Sequence, residues 1–259
     1  MKNLKIISAL GALIALLTPL SLPALNLTTG TRFESEFVSC GAKHGKENVN
    51  LSVNLEENIC GGSGYFGLTS RFMARSDATN KMAPYIGYAH SIDDSYEIDF
   101  GYQSYFYTNL GENSEGAKNH TDEIFFGILT NPLIPLETYI VYNFTEDDVC
   151  IFASIGTDCD LDRFGLSDCS FSGKLTLGYD RCGRPGGIRN FFVEELAGKR
   201  KDREFYAVDL DFIYSRQAHS LLRTGVRIAG NACSKKSYVN ASGNHQNLLW
   251  FTSAVEFSF

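Results

Sequence analysis

Apolar and polar residues alternate one for one along most of this chain, and that rhythm restricts the fold more than any other feature. Val49, Leu51, Val53 and Leu55 alternate with Asn48, Asn50, Ser52, Asn54 and Glu56. Leu136, Thr138, Ile140, Tyr142 and Phe144 do the same against Glu137, Tyr139, Val141 and Asn143, as do Leu222, Thr224, Val226 and Ile228 against Arg223, Gly225 and Arg227. A period of two sends successive side chains to opposite faces of a strand, whereas a helix would need a period near 3.6. Twelve segments carry the pattern, near residues 29–39, 47–56, 64–74, 82–91, 95–108, 121–130, 135–145, 148–157, 171–180, 204–215, 220–230 and 246–259. The fold class is therefore all-β.

The next question is which face is wet. The polar members include Arg32, Glu34, Glu36, Asn48, Asn50, Glu97, Asp99, Asp209, Asp211, Arg223 and Arg227. Twelve strands closed into a barrel leave a bore too wide to fill with side chains. The charged face then suits a watery lumen and the apolar face suits lipid. Segments of roughly ten residues are long enough for tilted strands to cross a bilayer. The expected architecture is an antiparallel transmembrane β-barrel of about twelve strands, and merging or splitting one hairpin makes it ten or fourteen. Connections also sort by length. Long polar loops at 109–120, 181–203 and 231–245 fall at the external end, and short turns at 91–94, 131–134 and 216–219 at the periplasmic end. Two connections break the rule, a short external one at Glu146-Asp147 and a long periplasmic one from Thr157 to Ser170.

The chain begins with Lys2 and Lys5, an apolar run from Ile6 to Leu17, a break at Thr18-Pro19, and Ala24 as the expected last residue before cleavage. That order is a secretory signal over residues 1–24, leaving 25–259 as the barrel. Leu249, Phe251, Val255, Phe257 and Phe259 share one face of the last segment. A final strand of alternating aromatics ending on Phe matches the sorting signal of barrels in the bacterial outer membrane. Composition agrees: 19 Phe, 13 Tyr and 24 Gly favour strands and tight turns. The net charge of −7 argues against nucleic acid as a partner.

Asp209 and Asp211 face the same way as Arg223 and Arg227, the basis either of an ion-pair ladder or of an eyelet that selects solutes by charge. Arg32, Glu34, Glu97 and Asp99 complete the expected charged lining. Tyr65, Tyr85, Tyr105, Tyr139 and Trp250 are expected to narrow the passage. The expected function is a narrow channel for small polar solutes. The alternative is a non-conducting structural or adhesive envelope barrel acting through external loops and disulfides. Catalysis is not expected: His44, His120 and His245 fall in external loops and His219 in a turn, with no nucleophile placed beside them. No Cys-Xaa-Xaa-Cys spacing or His partner points to a metal, and no cofactor is implied. Outer-membrane lipid and lipopolysaccharide are the expected surroundings, with Arg181, Arg184, Arg189, Lys199, Arg200, Lys201 and Arg203 making one external loop basic.

Seven cysteines follow the leader: Cys40, Cys60, Cys150, Cys159, Cys169, Cys182 and Cys233. An oxidising envelope favours disulfides. Cys159 and Cys169 bracket the long periplasmic connection and are expected to bridge. Cys182 and Cys233, at the roots of two external loops, form the second candidate pair. The odd count leaves one thiol for a disulfide-linked envelope partner.

Three segments carry a family resemblance. Thr31-Arg32-Phe33-Glu34-Ser35-Glu36-Phe37-Val38-Ser39-Cys40-Gly41 forms the first, Gly64-Tyr65-Phe66-Gly67-Leu68 opens the third strand, and Glu97 to Tyr107 is an acidic-aromatic strand. In rhythm these resemble the TorF-type family of small porins, although Ser39-Cys40-Gly41 stands where that family has Arg-Gly. The resemblance implies a porin and no particular substrate.

Overall fold

The computed structural model describes residues 25–35, 37–39, 42–45, 47–73, 80–108, 120–130, 135–181, 203–216, 220–231 and 248–259. Residues 1–24, the expected leader, lie outside the described residues. Strands dominate: β1 (Asn26–Glu34), β2 (Phe37–Ser39), β3 (Ala42–Gly45), β4 (Asn48–Ile59), β5 (Gly62–Met73), β6 (Asn80–Ser91) and β7 (Tyr96–Thr108). Then follow β8 (His120–Thr130), β9 (Leu136–Asn143), β10 (Asp148–Asp160), β11 (Cys169–Arg181), β12 (Arg203–Arg216), β13 (Ser220–Asn231) and β14 (Leu248–Ser258). Twelve of them close into one antiparallel barrel, in which each strand pairs with its sequence neighbour and β1 bridges β4 and β14. Thr28 pairs with Ser258 and Glu34 with Thr252 across the closing seam. The Leu27 N–H donates to the Phe259 carbonyl at 3.2 Å, and the Phe259 N–H returns a bond to Leu27 at 2.9 Å. Closure removes the open sheet edges that a bilayer would not tolerate.

The alternation becomes an inversion of the soluble plan. Ile124, Phe126 and Ile128 on β8 are 49%, 45% and 42% exposed, while Glu123 between β7 and β9 is buried. The same parity runs round the barrel: Phe66, Ile86, Phe100, Ile140, Leu177, Phe212 and Phe251 all project outward. Buried residues are mostly polar, among them Glu123, Asn143, Asp148, Asp180, Asp211 and Arg227. A face of this kind is soluble only in hydrocarbon.

Two features of the connections differ from expectation. The first segment does not run to residue 39. Strand β1 stops at Glu34, and β2 and β3 form a separate two-stranded hairpin. The long connection at the end holding the chain termini is shortened by its own strands, since the β10–β11 ladder extends to Asp160–Ser170. What remains is a turn over residues 161–168 containing one 3-10 turn, Asp162–Phe164, closed by Gly165 in the left-handed region (φ 76°). The short opposite turn holds because Asp147 adopts φ 62°, a conformation Asp tolerates better than most residues. The long loops 109–119, 182–202 and 232–247 lie outside the described residues.

The cysteine expectation fails at the first pair. Cys159 lies opposite Phe171, and Cys169 opposite Tyr214 on β12 and hydrogen-bonded by Leu161 N–H across the turn. The two are thus diagonal neighbours, a relation that sets Cα atoms about 7–8 Å apart, too far for a bridge. Both are free thiols, and the Cys159 Sγ instead contacts the Asp160 carbonyl. Cys60 is also a free thiol. The partners expected for the second pair, Cys182 and Cys233, lie outside the described residues.

Candidate functional site

Among the described residues, oppositely charged side chains pair along the lumenal face. On β12 the outward residues are Leu210, Phe212 and Tyr214, so Asp209 and Asp211 face inward. On β13 Leu222 faces outward, which turns Arg223 and Arg227 inward. Register then brings the four together. Asp209 lies directly opposite Arg227, and Asp211 opposite Gly225. The glycine leaves the gap that Asp211 fills, because a Cβ there would sit 2.1 Å from its Oδ1. Arg227 Nε meets Asp209 Oδ1 at 2.9 Å and its Nη2 donates to Asp211 Oδ2 at 2.7 Å, while Arg223 Nη1 stands 3.9 Å from the same oxygen.

The other expected lining residues fall on the same inner face but do not join that cluster. Glu34 accepts from Asn50 Nδ2 at 3.1 Å and pairs with Arg71 Nη2 at 3.5 Å. Asp99 accepts from two tyrosines, Tyr65 at 2.6 Å and Tyr139 at 2.8 Å, one carboxylate oxygen each. Glu97 is near the end of its strand, where Ser91 Oγ donates to it at 3.4 Å. Arg32 makes no hydrogen bond or ion pair with the described residues. Sequence reasoning missed Arg71, Lys174 and Glu137, although parity marks all three as inward. Lys174 pairs with Glu137 across the barrel wall from β11 to β9.

Most of the lumenal aromatics lie over small residues of neighbouring strands. Tyr65 lies over Gly87, Tyr85 over Gly67, Tyr139 over Gly127 and Phe205 over Gly178, each ring occupying the place a Cβ would take, at 2.3–2.4 Å. Trp250 packs on Ala229 and Ala207 in the same manner. Rings placed over residues without bulk pack along the wall. Toward the loop end the inner face is tightly enclosed instead: Glu123, Asn143, Glu146, Asp148 and Asp180 are at most 2% exposed.

One polar cluster sits on the outer wall. His120, expected in a loop, begins β8. Asp122 accepts from Tyr102 at 2.5 Å and Ser104 at 2.7 Å, and lies 3.0 Å from His120 Nε2. Its backbone N–H bonds to Thr145 Oγ1 at 3.0 Å. Ser104 also contacts His120 Nε2 at 2.8 Å, but it is only 5% exposed. A serine so enclosed, already donating to a carboxylate, is a tie between strands and offers no nucleophile to the membrane. Among the described residues no group of three metal-ligating side chains converges.

No family model matches the chain, and no curated protein does. Solved structures do resemble it. The KdgM porin superposes with a TM-score of 0.53 at 9% identity, covering 90% of this chain and 99% of that one. LpxR from Salmonella typhimurium gives 0.50 at 8% identity over the same shares, and the NanC porin 0.48 at 12%. At such identity the likeness is one of fold. Closed, apolar outside and charged within, the protein is a bacterial outer-membrane β-barrel with porin-like architecture.

Proposed function

We propose that this barrel is a narrow passive channel for small polar solutes, exported by the leader at residues 1–24 and allied to the TorF-type porins. The observation that carries the reading is the inner wall: paired charges at Asp209, Asp211, Arg223 and Arg227, with aromatic rings packed over glycines. Such a wall replaces part of a solute's hydration by fixed charges, and it gives discrimination without closing the path. Arg32, Glu34, Glu97 and Asp99 are the further lining residues. The fold shared with the KdgM porin supports the same reading. Outer-membrane lipid surrounds the apolar belt, and lipopolysaccharide meets its outer rim.

Single-channel recording of the refolded protein in planar bilayers tests the proposal. Discrete, reproducible conductance steps are expected, and Arg223→Glu should shift the reversal potential toward cation selectivity. A folded barrel that never conducts would discard the channel.

A further inference from the structure

Four lumenal cations among the described residues are answered by a carboxylate. Arg223 and Arg227 face Asp211, Lys174 faces Glu137, and Arg71 faces Glu34. Arg32 is not among them. Its ladder neighbours are Ala254 on β14 and Asn50 on β4, so neither adjacent strand offers an acid at its level. In front of it lies a recess of about 300 Å³, also lined by Arg71, Lys81, Asn50, Gln103, Tyr105 and, two residues along β14 from Ala254, Glu256. Arg71 is aimed by its Nε bond to Asn50 Oδ1 at 2.7 Å. Lys81 is held with its Nζ 3.6 Å from the centre of the Tyr105 ring, and the Tyr105 hydroxyl donates to Gln103 Oε1 at 2.7 Å.

We infer that this recess is a binding station for small hydroxylated organic anions, an inference that rests on the channel reading. A carboxylate suits the planar fork of the Arg32 guanidinium, which presents parallel N–H donors. Arg71 and Lys81 add positive potential from the opposite side. Asn50, Ser52, Thr69 and Gln103 supply neutral amides and hydroxyls for a solute's own hydroxyl groups. The lumenal carboxylates do not cancel the site: Glu34 is bonded to Arg71 and Asn50 and Asp209 to Arg227, and Glu256, which also lines the recess, sets one acid against the three cations Arg32, Arg71 and Lys81. The solute passes one attractive station on its way through the barrel, the arrangement that permits both entry and release.

The probe is sodium gluconate, a carboxylate bearing hydroxyls. Two readouts are taken on refolded protein: concentration-dependent reduction of chloride current in bilayers, and calorimetric binding in detergent. Saturable block and binding are expected, weakened about tenfold by Arg32→Gln, as loss of one charge-assisted pair implies. Lys81→Gln should weaken both to a smaller degree, and Arg163→Gln, on the exposed turn Asp162–Phe164, should leave both unchanged. Gluconate binding that ignores Arg32→Gln and Lys81→Gln, in variants that still shift on heating in gels, overturns the station and leaves the channel standing. Binding that depends on Arg32 in a barrel without conductance keeps the station and discards the channel. No saturable binding to the wild-type barrel by calorimetry overturns the station outright.

Discussion

Arg227 is the residue on which the lumenal charge network turns. Its guanidinium answers two carboxylates, and the Asp211 side chain is only 6% exposed. Arg227→Ala leaves Asp211 buried beside the more distant Arg223, and stability should fall by about 3 kcal/mol. Urea unfolding of the refolded barrel in vesicles measures this, and Asp211→Asn in the same background should recover part of the loss. At Gly127 the argument is steric. A Cβ there meets the Tyr139 ring at 2.3 Å, so Gly127→Val must drive the ring off the wall. Conductance should drop and stability fall by roughly 1–3 kcal/mol, and Tyr139→Ala combined with it should restore the current. A current unaffected by Gly127→Val would mean that the ring does not border the path.

Strands and hairpins set a second group of expectations. On β14, Phe251 is 58% exposed on the outer face. Phe251→Arg puts a charge into hydrocarbon and should cost about 2–4 kcal/mol if it lies near the bilayer midplane. The comparable change at Ala254 of the same strand, which points inward, should act on conductance first. The β10–β11 hairpin offers a chemical test. Cys159 and Cys169 are diagonal and unbridged, so both should take a maleimide label without reductant, read as two added masses on the peptides that hold them. Protection of both, reversed by reductant, would restore the bridge expected from their spacing. That expectation counted the residues between the cysteines, but not that both strands lengthen into the connection and fix each thiol opposite a different neighbour.

For the whole molecule, closure is the property with the plainest signature. A ring of twelve strands joined at β1 and β14 resists detergent, so unboiled protein should migrate differently from boiled protein in gels. Identical migration would contradict the closed barrel. The same closure explains how legible the fold was. A two-residue period is a local property of extended backbone, so the strands, their facing and the inward residues Arg32, Glu34, Glu97, Asp99, Asp209, Asp211, Arg223 and Arg227 follow from parity along each segment. Sequence alone also places Asp209 and Arg227 on neighbouring strands, because a meander pairs each strand with the next. What it leaves open is which inward side chains touch. That depends on register summed round the ring and on gaps left by small residues several strands away. Tyr65 and Tyr139 reach one carboxylate, Asp99, from two strands off on either side, over Gly87 and Gly127. Arg32 has no acid at its own level of the ladder because the seam between the two ends of the chain sets Ala254 on one side of it and Asn50 on the other. Only the closed tertiary structure makes that seam, since its two halves are separated by nearly the whole sequence.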